Sequence, residues 1–199
     1  MTTTEQTRID YAAARKAMID GQLRTSGVNE AFVLARMSVV PREDFVPEAA
    51  KGSAYIDRAV RLGEGRFLPA PVFHGAMLAE ARPRLDDRVL VIDGGSGYLT
   101  ELVRPMVETV ETVAPRAAAD GKAEGRYTLV LIDGAIEHVS EALAALIEPE
   151  GRIVTGLFER GVTRLATGRH SGTALALLPL TEMGIPRLAA FDKPSSWQF

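Results

Sequence analysis

The stretch Arg88 to Asp93, RVLVID, runs into Gly94-Gly95-Ser96-Gly97 and then into a helix-like segment, Tyr98 to Val103. A short apolar run bounded by turn residues is the pattern of a strand buried on both faces. The pattern returns at Tyr127 to Asp133 (YTLVLID) and at Gly151 to Phe158 (GRIVTGLF), while Val107 to Val113 (VETVETV) has the β-branched content of a strand. Between them, Glu137 to Ile147 reads as an amphipathic helix with Val139, Leu143, Leu146 and Ile147 toward a core. Strands that alternate with helices constrain the chain to an α/β fold with a mainly parallel sheet. The runs VTRLAT, TALALLPL and PRLAAF, in residues 161–191, predict added antiparallel edge strands.

The first third reads differently. Residues from about Thr7 to Thr25 favour a helix with Ile9, Ala13, Ala17 and Met18 near one face, stopping at Ser26-Gly27. Asn29 suits the N-cap of a second helix, Glu30 to Met37, which must end before Pro41. Six Pro and Gly residues break the stretch 41–70, and Pro71 can open a third helix, Val72 to Ala81. The expected organisation is one domain over 1–199, with a helical and loop part at 1–85 and the α/β core at 86–199.

Composition removes several functions. The chain of 199 residues has no cysteine, so it carries no thiol nucleophile, disulfide scaffold or cysteine zinc site. No apolar run approaches the ~18 residues of a membrane span, and the first residues lack the pattern of a signal peptide, so a cytoplasmic protein is expected. The acidic excess lies in 86–150, the flanks are net basic, and no segment has the basic density of a nucleic-acid footprint. The histidines, His74, His138 and His170, have no partners at metal-ligand spacing and read as surface or half-buried structural residues.

A strand, a glycine turn and a helix form a recipe for a nucleotide-type site, since glycine lets the backbone approach a ligand and the helix start offers free N–H groups. Asp93-Gly94-Gly95-Ser96-Gly97 is neither a P-loop nor the dinucleotide GxGxxG pattern. Taken alone, it is as compatible with a tight connection as with a binding site.

Further stretches add a resemblance. Met18-Ile19-Asp20-Gly21-Gln22-Leu23 with Gly27-Val28, then Met37 with Val40-Pro41-Arg42-Glu43-Asp44-Phe45-Val46-Pro47, then Ala54-Tyr55-Ile56-Asp57-Arg58 with Leu62-Gly63-Glu64-Gly65 occur in order. Val89-Leu90 through Gly95-Ser96-Gly97-Tyr98, and Pro149-Glu150-Gly151-Arg152, follow. Over roughly residues 8–155 the chain resembles the protein-L-isoaspartate O-methyltransferases. The resemblance implies a Rossmann-like, S-adenosylmethionine-dependent methyltransferase fold with N-terminal helices, a mainly parallel sheet and antiparallel C-terminal strands. It implies that S-adenosylmethionine lies against Asp93, Gly94, Gly95, Ser96 and Gly97, with Asp133 at a neighbouring strand end. The implied substrate is the α-carboxylate of an isoaspartyl residue in a damaged protein, approached by the loop that holds Tyr55, Asp57, Gly65 and Leu68. Its oxygen takes the methyl group in line, and the ester collapses to a succinimide. No metal is implied.

Four positions depart from the family pattern. Pro69 stands where the family has a serine that helps place the reacting groups; proline has neither a hydroxyl nor an N–H. Val91 replaces the acid of the glycine motif, and Asp93 replaces its first glycine, as a substitute carboxylate or, better supported, as a capping residue. Ala114 replaces the ribose-binding acid, and Glu111 lies along the strand rather than at its end. Only Ala114 to Arg126 separates the second strand from the third, enough for one crossover but not for another helix–strand unit. Asp120-Gly121 read as a plain turn in preference to a remnant of the family's adenine-contacting turn. The departures point to a divergent, degenerate member with methyl transfer weakened or lost; the alternative is a non-catalytic relative with a binding or structural role. A different small ligand at Gly94 to Gly97 is a third reading. The shortened crossover places Val107 to Val113 at the sheet edge, either protected by Glu108 and Glu111 or covered by a second copy in a homodimer. Trp197 and Phe199 are expected to dock on the chain's own core or on a partner.

Overall fold

In the computed structural model, which describes residues 9–172 and 175–193, helices come first. α1 (Tyr11–Met18) is capped by Asp10, whose side chain accepts from the Ala13 N–H at 3.0 Å. It continues through a π turn and a 3-10 turn to Gly27, where φ is +86° and glycine relieves the strain of a left-handed stop. The buried side is Met18, Ile19 and Leu23, whereas Ile9, Ala13 and Ala17 face solvent, which corrects the expected face. α2 (Ala31–Val39) begins after Glu30 rather than at an Asn29 cap. The hairpin β1 (Val60–Gly63) and β2 (Arg66–Leu68) leads to α3 (Pro71–Ala81), which opens on Pro71 as expected.

The core sheet then assembles as β3 (Arg88–Ile92), α4 (Tyr98–Val103), β4 (Thr109–Val113), α5 (Pro115–Ala119), β5 (Tyr127–Ile136), α6 (Glu141–Ala144), β6 (Ile147–Glu159), β7 (Val162–His170) and β8 (Leu175–Glu182). The strand order is β4-β3-β5-β6-β7-β8, parallel from β4 to β6 and antiparallel from β6 to β8. Arg160 and Gly161, both at positive φ, make the tight β6–β7 turn. The crossover from β4 to β5 holds one short helix and no strand, so β4 is an edge, with Glu111 exposed on it and Glu108 exposed just before it. Two sequence expectations fail locally. Glu137 to Ile147 gives only the short α6, capped by Ser140, because β5 extends to Ile136 and β6 starts at Ile147. PRLAAF does not form a strand: it is a strap with one bridge, Arg187 to Ala135, followed by a 3-10 turn.

The period of two in RVLVID divides the core. Val89 and Val91 pack with Leu129, Leu131 and Val154 against Met37, Phe73, Met77 and Leu102 on one face. Leu90 and Ile92 pack with Val130, Ile132 and Ile153 against Ala118, Leu143 and Phe191 on the other. Every residue of β3 after Arg88 is fully buried, which explains the unbroken apolar run. At the opposite end of the sheet, Asp87 joins Arg152 at 2.5 Å, the Thr128 hydroxyl at 2.7 Å and the Arg84 N–H at 2.8 Å, tying three strands together away from the site.

Candidate functional site

β3 lies between β4, reached first, and β5 on its other side, so the connections part at its carboxyl end. Open α/β sheets bind ligands at such a switch point. Here a cleft of about 550 Å³ opens, within the range of small-molecule sites. Its floor is Asp93, Gly94 and Gly95; Thr112, Val113, Ala114 and Pro115 form one wall. The hairpin tip Glu64-Gly65-Arg66 and the strap Arg187-Leu188-Ala189 close it.

The glycines are required by close approaches. A Cβ on Gly94 would lie 2.6 Å from the Asp133 carbonyl oxygen, and one on Gly95, at φ +108°, would meet the Arg66 side chain at 2.6 Å. Asp93 caps the turn: its Oδ1 accepts from the Gly97 N–H at 3.0 Å. Burial, helped by the nearby Asp133 charge, pushes the Asp93 carboxyl up from its ordinary value. Ser96 and Gly97 shape the turn from behind, the Ser96 hydroxyl accepting from the Tyr98 N–H at 3.2 Å and donating to Asp133 at 3.3 Å.

Asp133 does not reach the cleft through its carboxylate. It is buried and bound to His74 Nε2 at 2.7 Å. The expectation of a surface or half-buried histidine is therefore corrected for His74, which is fully buried, and holds for His138 and His170. On its other side the imidazole meets Arg42 Nη1, 3.2 Å from Nδ1. A guanidinium can only donate, so Nδ1 accepts and Nε2 carries the proton toward Asp133. Burial holds His74 below its ordinary pKa, against the pull of Asp133. The unfolded imidazole protonates near pH 6.5, so acidification favours the unfolded chain. Stability should fall by up to ~1.4 kcal/mol per pH unit below about pH 6.5, and His74→Gln should flatten that slope in urea titrations.

Arg42 is the main site-supporting residue that the sequence did not single out. It is fully buried, with Nε donating to the Ala54 carbonyl at 2.7 Å, Nη2 donating to the Pro69 carbonyl, and the guanidinium 5.0 Å from the Tyr98 ring centre. Its position in VPRE carried no sign that the charge turns inward. Pro69 is buried beside it, its carbonyl occupied by Arg42.

The loop residues separate. Tyr55 is buried in a network in which Arg15 donates to its hydroxyl at 2.7 Å and the hydroxyl donates to Glu43. Burial and Glu43 push its pKa up to about 12. Leu68 is core, and Gly65 lines the glycine cleft. Asp57 lines a second cleft of about 880 Å³, shared with Arg58, Phe67, Phe73, Met183 and Ile185. Arg187 borders both clefts, 3.8 Å from the Phe158 ring centre and bonded to Glu137 and Asp192 at 2.8 Å each. The pattern of PRLAAF suggests a strand, and nothing in it places the strap at the site. Ala114 sits exposed at the end of β4 on the cleft wall, while Glu111 accepts from the Tyr127 hydroxyl at 2.5 Å, so no carboxylate comes from the end of β4. Trp197 and Phe199 lie outside the described residues.

The family model for protein-L-isoaspartate(D-aspartate) O-methyltransferase matches residues 13–115. A protein-L-isoaspartate O-methyltransferase of Methylorubrum extorquens (strain PA1) is 31% identical over 169 residues, 73% of this chain and 74% of the relative. One from Desulfosudis oleivorans is 38% identical over 109 residues, 55% of this chain and 49% of the relative. This second match, like several others, spans about half of the relative's length. A Plasmodium falciparum protein described as a protein-L-isoaspartate O-methyltransferase, in complex with S-adenosyl-L-homocysteine, superposes with a TM-score of 0.69 at 15% identity, covering 91% of this chain and 99% of that one. At that identity the likeness speaks for the fold.

Proposed function

The chain belongs to the protein-L-isoaspartate O-methyltransferase family, and on that premise we propose that it binds S-adenosylmethionine in the glycine cleft and transfers its methyl group, weakly, to isoaspartyl carboxylates. The observation that carries this reading is the cleft of about 550 Å³ at the carboxyl end of β3, with Asp93, Gly94 and Gly95 on its floor. The cleft is of the size of a small-molecule site, and its lining suits a nucleoside. Gly94 and Gly95 would hold it at the turn, and Val113, Ala114, Pro115, Leu188 and Ala189 would offer a largely apolar wall to a nucleoside.

Bound there, the cofactor supplies a methyl group on a positively charged sulfur. The chain's own task is placement: an ionised carboxylate is already a nucleophile, so the protein orients it and excludes water. Phe67, Ala70 and Phe73 line the adjoining cleft and can shield an acceptor from solvent. Pro69 supplies neither hydroxyl nor N–H, and its carbonyl is bound to Arg42, so the acceptor lacks a donor at that point. That is the reason for weak transfer, and it also favours the second reading, a family relative that no longer catalyses.

Calorimetry with S-adenosylhomocysteine, followed by transfer to an isoaspartyl peptide, separates the readings. Low-micromolar binding is expected, together with about 2.7 kcal/mol of added stability at a hundredfold excess over Kd. Slow transfer that Pro69→Ser accelerates by about tenfold or more is expected. Binding without turnover in either protein supports the non-catalytic relative, and absence of binding overturns the cofactor reading.

A further inference from the structure

Two carboxylates flank the glycine turn, Asp93 on the cleft floor and Asp133 buried behind it, and they are compensated differently. Asp133 is answered by the His74 Nε2 proton and, behind the imidazole, by the buried Arg42 guanidinium. Asp93 is met by neutral groups: the Gly97 N–H donates to its Oδ1 at 3.0 Å, and the Gly95 and Ser96 N–H groups lie nearby and favour its charged form. The cations at the rim are engaged with other acids, Arg66 with Glu64, and Arg187 with Glu137 and Asp192. Among the described residues, no cationic side chain makes an ion pair with Asp93.

Position adds a second observation. Residues two apart on a strand share a face. Val91 is sealed in the core, whereas Asp93, two residues on, lines the cleft. The carboxylate missing from position 91 is thus replaced by one at the place where the chain leaves the sheet and meets the ligand space.

We infer that Asp93 makes the cleft selective for a positive charge at the sulfur position, so that S-adenosylmethionine, with its sulfonium, is held more tightly than S-adenosylhomocysteine, which keeps the amino-acid ammonium but has an uncharged sulfur. The inference rests on the cofactor reading above. In water a single carboxylate would discriminate little. Half-buried, without an ion pair and held by the Gly97 N–H, it favours a ligand with a charged sulfur over one with an uncharged sulfur on the order of tenfold. Weak retention of the product follows, because loss of the methyl group removes the charge that Asp93 attracts.

The test is calorimetric and needs no turnover. The unaltered protein is titrated with S-adenosylmethionine, S-adenosylhomocysteine and sinefungin, whose amine-bearing carbon replaces the methylated sulfur. The two cations are expected to bind about tenfold more tightly than S-adenosylhomocysteine. Asp93→Asn keeps an acceptor for the Gly97 N–H and removes the charge, so it should bring the three affinities together with little change for S-adenosylhomocysteine. Equal affinities in the unaltered protein overturn the inference and leave the cofactor reading standing. So does a preference that survives Asp93→Asn. Failure of all three ligands to bind the unaltered protein overturns the cofactor reading itself. If Asp93→Asn does not fold, Asp93→Ser, which also keeps an oxygen acceptor for the turn and removes the charge, serves the same comparison.

Discussion

Arg42→Ala is expected to lower the stability of the protein by about 3–5 kcal/mol, the usual cost of breaking a buried, hydrogen-bonded charge network from one side. The guanidinium bonds the Ala54 carbonyl, the Pro69 carbonyl and His74 Nδ1, and sits over the Tyr98 ring. It thereby joins the loop before β1, the segment leading into α3, α3 itself and α4. Alanine would leave two buried carbonyls and an imidazole nitrogen without donors, and a void where the side chain was. It would also remove the charge that balances Asp133. Lysine offers one rotatable ammonium in place of a planar fork and should recover only part of the loss. Urea unfolding followed by circular dichroism measures both. A loss under 1 kcal/mol would mean that water takes over the arginine's bonds.

The second large effect is expected at Gly94. The obstacle to a side chain there is the Asp133 main-chain oxygen on β5, 2.6 Å from the Cβ position. A strand carbonyl cannot rotate aside as a flexible side chain can. Gly94→Ala must therefore move the glycine turn away from β5, straining the Ser96–Asp133 bond and narrowing the cleft. Overpacking of this kind costs about 1–3 kcal/mol, which at this chain length lowers Tm by roughly 2–12 °C. Binding of S-adenosylhomocysteine should weaken at least tenfold, because the backbone that meets the ligand is the part that shifts. Gly21→Ala, which has open space at its Cβ, should leave binding unchanged. Unaltered affinity in Gly94→Ala would show that the turn does not contact the cofactor.

These two residues show how far the sequence can be read. Gly94 was legible because a glycine between a buried strand and a helix has few structural meanings, and its chemistry is local. Arg42 was not. Its burial depends on Ala54, Pro69, His74 and Tyr98 converging from four separate segments, and an arginine in sequence reads first as a surface charge. His74 failed for the same reason: its partner lies 59 residues away on β5. The helix expected over 137–147 shrank because the sheet competed for the same residues, with β5 running to Ile136 and β6 starting at Ile147. A helical pattern records which residues are apolar at a given spacing, not which neighbour will hydrogen-bond them.

The family, the α/β class, the parallel strands, the glycine turn, the edge position of β4 and the absence of an acid at Ala114 follow from the sequence, because each rests on a local pattern or on chain length. Tertiary structure alone decided that Asp133 turns inward to His74 while Asp93 remains in the cleft. It alone decided that residues 185–191 form a strap rather than a strand, closing the cleft beside the shortened crossover. Those outcomes depend on which charges meet a partner in the interior and which are left facing the ligand space, and burial is a property of the folded assembly rather than of any segment.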